Sequence, residues 1–262
     1  METHMIFETH AHYDDEAFEA DQEEILNSMQ ECGIGRIVNA CASIESLKDT
    51  ELLMEKYPFV YGAFGIHPDD ADKMTQETLD EIRKLCQLPK AVAVGEIGLD
   101  YYWHKEEAEH ELQKKMFRAQ MEIAREEKMP FMIHSRDAAK DTLDIVKDCM
   151  SAGMYGGIIH CFSYGKEMAR EYLNMGLYLG IGGVVTFKNA KKLKEVVEYA
   201  PLEQLVLETD SPYLSPEPNR GKRNSSLNLP YVAEMIAELK GVSKEEVIAV
   251  TEENAKQLLL RK

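Results

Sequence analysis

Short apolar runs alternate with longer amphipathic ones from end to end of the chain. The short runs predict strands at residues 5–9, 36–40, 60–65, 91–95, 131–133, 157–159, 177–181 and 205–207. Apolar positions at helical spacing predict helices at 21–32, 44–56, 75–86, 106–127, 138–150, 166–175, 191–199, 230–239 and 244–260. Gly33 and Gly176 stop the first and sixth of these, and Ser243 stands as N-cap of the last with Glu246 in capping-box position. Eight repeats of strand then helix, with no hairpin signal between apolar runs, point to α/β architecture of the (β/α)8 TIM-barrel type, one domain over residues 1–262. The alternative is a doubly wound open sheet. That fold usually carries a Gly-rich loop after its first strand, where this chain has His10-Ala11-His12.

Length alone permits one domain or two, and 44% hydrophobic with 29% charged residues is ordinary for a soluble globular chain. No apolar run approaches the roughly 18 residues of a membrane span, and no signal peptide opens the sequence, so a cytoplasmic protein is expected. Five scattered cysteines, Cys32, Cys41, Cys86, Cys149 and Cys161, form no Cys-x-x-Cys pair and read as buried free thiols of a reducing compartment. A net charge of -17 argues against a nonspecific nucleic-acid binder but leaves room for an enzyme that meets phosphates through metal ions and a few local cations. Met1 to His4 precede a second methionine and are given no role.

What ends each apolar run changes the picture. The first strand closes on His10 and His12, which share a side if the backbone stays extended, a chelating pair. The third runs into His67, the fourth into Glu96 and Asp100, the fifth into His134 and Arg136, the sixth into His160, and the eighth into Glu208 and Asp210. In a barrel these are C-terminal strand ends on the face that carries chemistry. The remaining histidines, His4, His104 and His110, read as surface residues. Four histidines (His10, His12, His134, His160) and two carboxylates (Glu96, Asp210) exceed one tetrahedral site but suit two divalent ions sharing a carboxylate, with Glu96, mid-barrel in strand order, as the bridge. No cysteine accompanies them as in a structural zinc site.

Thr9-His10-Ala11-His12, Gly65-Ile66-His67-Pro68, the run from Gly95 to Tyr101, Ile133-His134-Ser135-Arg136, His160-Cys161-Phe162-Ser163, the run from Glu208 to Pro212 and that from Arg220 to Asn224 together resemble the TatD family of metal-dependent deoxyribonucleases, in the family's order. The resemblance implies a TIM-barrel metallohydrolase of the amidohydrolase kind that cleaves DNA, with 3′ to 5′ exonuclease polarity. It implies one metal on His10, His12, Glu96 and Asp210 and a second on Glu96, His134 and His160, with His67 and Arg136 near the substrate phosphate. Two departures stand out: Glu8 replaces the usual Asp, and the stretch from Asn224 to Pro230 is longer than the common Asn-Glu-Pro.

Such chemistry needs a base, for which Asp210 is the candidate, and Glu208, two residues before it, could share its face. Arg136 with Arg220, Lys222 and Arg223 could pair with phosphates, and Tyr101, Tyr102 and Trp103 could stack on an unpaired base. The metals could be zinc, manganese or magnesium, since mixed His and carboxylate ligands accept each. A monomer acting on DNA, at single-stranded or 3′ ends and away from membranes, is expected. The competing readings are another hydrolase on the same centre, attacking an ester or amide such as a D-aminoacyl-tRNA bond, and a non-catalytic scaffold.

Overall fold

The computed structural model describes residues 4–260; of the N-terminal stretch given no role, Met1 to Thr3 lie outside the described residues. Eight parallel strands, β1 (Ile6–Ala11), β2 (Ile34–Ala40), β3 (Val60–Ala63), β4 (Ala91–Asp100), β5 (Phe131–Arg136), β6 (Gly157–Ile159), β7 (Tyr178–Ile181) and β8 (Leu205–Leu207), lie side by side in chain order. A bridge between Ala11 and Ser211, and the Asp210 amide donating to the His10 carbonyl at 3.0 Å, bring the end of β8 back to β1. The sheet therefore curls into a TIM barrel. A doubly wound sheet would reverse its strand order part-way, and this one never does.

Around it run α1 (Gln22–Ser28), α2 (Ile44–Lys56), α3 (Gln76–Leu85), α4 (Glu107–Glu126), α5 (Ala139–Ser151), α6 (Lys166–Asn174), α7 (Lys191–Tyr199), α8 (Leu229–Lys240) and α9 (Lys244–Leu259). α1 is shorter than its pattern suggests, because the chain turns after Ser28 and leaves through Gly33 at φ +85°. Ser243 caps α9 by accepting from the Glu246 amide at 3.1 Å.

Burial is divided between two layers. Strand side chains such as Ile37, Val94, Ile133 and Leu207 pack outward with the helices. Phe7, Val38, Ala63, Met132, Ile158 and Val206 form a second buried cluster with Ala255, Leu258 and Leu259 of α9. Residues from so many strands touch one another only by facing the barrel interior, so α9 plugs the interior at the strands' N-terminal ends. The other end is left for polar side chains.

The pairing of β4 with β5 sets the site. The ladder continues past the apolar residues through Ile97 with Ile133, Gly98 with His134, Leu99 with Ser135 and Asp100 with Arg136, so β4 runs to Asp100 rather than stopping at Gly95.

Candidate metal centre

Strand side chains alternate, so the position two beyond an inward apolar residue also faces inward. Above Met132, Ile158 and Val206 this places His134, His160 and Glu208. On β1 and β4 the alternation is reset by irregularities in the ladder, between Glu8 and Ala11 and between Val94 and Ile97, and from there come His10, His12 and Glu96, the last only 3% exposed. The two carboxylate oxygens of Glu96 face different imidazoles. Its Oε2 lies 3.2 Å from His10 Nε2 and 3.5 Å from His12 Nε2, and its Oε1 lies 2.9 Å from His134 Nδ1 and 3.7 Å from His160 Nε2. Asp210 Oδ1 stands 3.3 Å from His12 Nε2 and 3.5 Å from His160 Nε2. All six donors expected from the strand ends meet at this rim.

The charges are strongly coupled. Burial opposes ionisation of Glu96, yet the imidazoles of His10 and His160, with hydrogen bonds from His10 and His134, hold its carboxyl well below the usual carboxylate range. Asp210 is lowered in the same way: burial acts against it, and His12 and His160 outweigh the burial. Burial would lower His12, but Asp210 and Glu96 raise it to about 9, and Asp100 and Glu96 do the same for the buried His134. His10 is lowered, by burial and by the neighbouring His160.

The outward ring nitrogens of three of these histidines meet partners as well, while the buried Nδ1 of His10 has no hydrogen-bond partner among the described residues. His12 Nδ1 is 2.8 Å from the Ala40 carbonyl, and His134 Nε2 is 3.1 Å from Asp100 Oδ2. His160 Nδ1 is 3.1 Å from Glu208 Oε2, a charge contact off the line of a hydrogen bond. A proton kept on these outer nitrogens leaves the inner ones free to ligate. This donor set fits divalent cations: His10 Nε2 and His12 Nε2 face each other at 3.2 Å beside a carboxylate, about the edge of a tetrahedron whose ligands sit roughly 2.0–2.1 Å from zinc.

Asp100 and Glu208 are positioning residues that the strand ends alone do not reveal. Asp100 also accepts the amides of Tyr102 at 2.8 Å and Trp103 at 3.1 Å; against its burial, His134 and these amides hold its carboxyl at about 2. The available signal was its parity with Glu96, four residues back on the same strand. Glu208 is fully buried beneath His160 and accepts the Cys161 amide at 2.5 Å, whereas the Asp210 side chain is 20% exposed at the cavity. Gly180 on β7 makes room for Glu208, since a Cβ there would lie 2.1 Å from its Oε2.

A cavity of about 900 Å³ opens above Glu96, and His67 and Arg136 line it. His67 Nδ1 accepts the Asp69 amide at 3.2 Å, which puts its proton on Nε2, 3.8 Å from Glu96 Oε1. Arg220, Lys222 and Arg223 do not line this cavity. Arg223 forks onto Asp21 at 2.7 and 2.6 Å over the Phe18 ring, and Arg220 lies 4.1 Å over the Phe187 ring. Tyr101 is stacked on His110 at 3.6 Å with its hydroxyl on Asp141, while Trp103 reaches the cavity. His104 is held between Asp69 and Glu109, and His4 lies on Glu252. Not all the thiols are buried as expected: Cys41 and Cys86 are, Cys149 and Cys161 are half-buried, and Cys32, in the turn that follows α1, is exposed. Among the described residues, no helix is long and apolar enough to cross a membrane.

A model of the TatD-related DNase family matches residues 7–260. The chain belongs to the TatD family. It is 45% identical over 254 residues to the uncharacterized metal-dependent hydrolase YabD of Bacillus subtilis (strain 168), covering 97% of this chain and 98% of that protein. To the 3′-5′ ssDNA/RNA exonuclease TatD of Citrobacter rodentium (strain ICC168) it is 31% identical over 247 residues, 92% of each. Among solved structures, YJJV, a TatD homologue from Escherichia coli K12, superposes with a TM-score of 0.90 at 27% identity over 98% of each chain. This TatD chain is thus a metal-dependent hydrolase on a TIM barrel.

The two departures from the TatD pattern touch each other. Glu8 accepts from the amides of His10 at 3.1 Å and Thr209 at 2.9 Å, from the Thr209 hydroxyl at 2.7 Å, and from Ser226 Oγ, within the longer loop, at 2.9 Å. Burial pushes its carboxyl up to about 8 against these donors. Glu8 thereby joins β1, the end of β8 and that loop directly beneath the metal-competent histidines. Glu8→Gln turns an amide N–H toward hydrogen-bond donors, and Ser226→Ala removes one of them. A double-mutant cycle read by urea unfolding is expected to give a coupling of about 1–2 kcal/mol. Additive losses would mean that the two residues act separately.

Proposed function

We propose that this TatD-family hydrolase cleaves phosphodiester bonds of DNA, removing nucleotides from single-stranded 3′ ends, as a cytoplasmic single-domain monomer. Carrying the reading is the divided environment of Glu96, whose two oxygens serve two separate sets of imidazoles. One divalent cation would be held by His10, His12, Glu96 and Asp210, and a second by Glu96, His134 and His160, drawn from zinc, manganese or magnesium. Bound there, they would supply Lewis-acid charge to the phosphate and lower the pKa of the attacking water. The name of the Citrobacter relative supports the substrate class.

The chain's own groups have separate tasks. Asp210 is ionised, reaches the cavity and accepts the proton of the attacking water. His67 donates its Nε2–H to a phosphate oxygen, and the Arg136 guanidinium pairs with the same charge. Arg220, Lys222 and Arg223, outside the cavity, meet only more distant phosphates of a long strand.

The test is a chelated preparation assayed on 5′-labelled single-stranded DNA with each metal restored in turn. Chelation is expected to lower the rate at least about a hundredfold, roughly 2.7 kcal/mol of barrier, and one or more of the three metals to restore it with stepwise loss of terminal nucleotides. Turnover of an aminoacyl ester with the oligonucleotide untouched would replace this reading.

A further inference from the structure

The loop between β4 and α4 presents aromatic surface that folding does not require. Trp103, the one tryptophan in the sequence, is 65% exposed. It meets Tyr102 edge to face at 4.7 Å, and the Arg136 guanidinium lies 3.9 Å from the Tyr102 ring centre and 5.6 Å from that of Trp103. The loop is tied down rather than loose. Besides the two amides on Asp100, His104 links Asp69 at 3.0 Å to Glu109 at 3.3 Å, Lys105 Nζ donates to the Tyr101 carbonyl at 2.6 Å, and His110 Nε2 lies 2.9 Å from the His104 carbonyl. An exposed ring held in place beside a cavity is pre-organised for a planar partner.

Cations are scarce in the cavity. Arg136 is the sole Lys or Arg lining it, and no carboxylate pairs with it among the described residues. The rest of the lining carries Asp14, Asp15, Glu45, Asp49 and, tied to the aromatic loop through His104, Asp69. A polyanion is drawn to Arg136 and the rings beside it rather than to this acidic lining.

We propose that Trp103, braced by Tyr102 and Arg136, is the platform on which an unpaired base of a single-stranded substrate stacks, so that the strand leaves the cavity over the β4–β5 rim. The proposal rests on the phosphodiesterase reading and names the side from which its substrate is held. Asp100 couples the two, since one oxygen fixes the platform's backbone and the other fixes His134.

As the sole tryptophan, Trp103 reports directly. A short phosphorothioate oligothymidylate, resistant to hydrolysis, is expected to quench its emission saturably; an abasic phosphorothioate of equal length and charge is expected to leave the emission unchanged and to bind about tenfold more weakly. By anisotropy, Trp103→Ala should lose about tenfold in oligothymidylate affinity, and Trp103→Phe should retain most of it. Equal quenching by both oligomers, or none by either, overturns the platform. Hydrolysis of ordinary oligothymidylate without quenching sinks the platform and keeps the phosphodiesterase reading, whereas quenching without hydrolysis does the reverse.

Discussion

Glu96→Gln is expected to lose metal stoichiometry and hydrolysis together, with turnover down on the order of a thousandfold or more, about 4 kcal/mol of barrier. The substitution keeps shape and removes charge. Its consequence is large because one carboxylate faces both imidazole sets: His10 and His12 lose their anion on one oxygen, and His134 and His160 lose theirs on the other. Without that anion, nothing between the two imidazole sets offsets the charge of two cations held close together, and the second is lost first. Metal content by mass spectrometry, beside an unfolding curve showing that the barrel persists, separates this from collapse. Two equivalents of metal retained with near-wild-type digestion of single-stranded DNA would show that Glu96 bridges nothing.

What could be read beforehand follows from which signals are local. The barrel was visible because every strand buries both faces, so the apolar runs stand out whatever surrounds them. The convergence of His10, His12, Glu96, His134, His160 and Asp210 was visible for a related reason: a parallel barrel brings all C-terminal strand ends to one rim, so sequence position becomes spatial position. The ends of β4 and β5 were not visible. Polar side chains from Glu96 to Asp100 and from His134 to Arg136 break the apolar pattern while the hydrogen-bond ladder continues through them. Nor could the chain alone separate a ligand from a residue that orients a ligand. Glu208 and Asp210 share a strand end, and only the room left by Gly180 on the neighbouring strand lets Glu208 lie under His160. The pairing of Arg223 with Asp21 was not visible either, because the two stand 202 positions apart.

The glycine that permits the β4–β5 pairing yields the other large effect. Gly98 sits opposite His134 in the ladder with φ +149°, and a Cβ there would lie 1.9 Å from the His134 carbonyl oxygen and 2.9 Å from its carbon. Backbone cannot give way as a flexible side chain can, so Gly98→Ala must part the two strands at the pair that sets Glu96 against His134. The expected cost is about 4–5 kcal/mol, which in a chain of this length lowers the melting temperature by roughly 10 °C or more. Metal affinity should fall with it, because His134 is carried on the displaced strand. Gly33→Ala supplies the control. Gly33 has φ +85° with nothing within 4 Å of the added Cβ, so only the backbone penalty of roughly 1–2 kcal/mol applies and the centre is untouched. If the two variants melted together and both kept full metal content, close approach at Gly98 would not be what holds β4 and β5 in register.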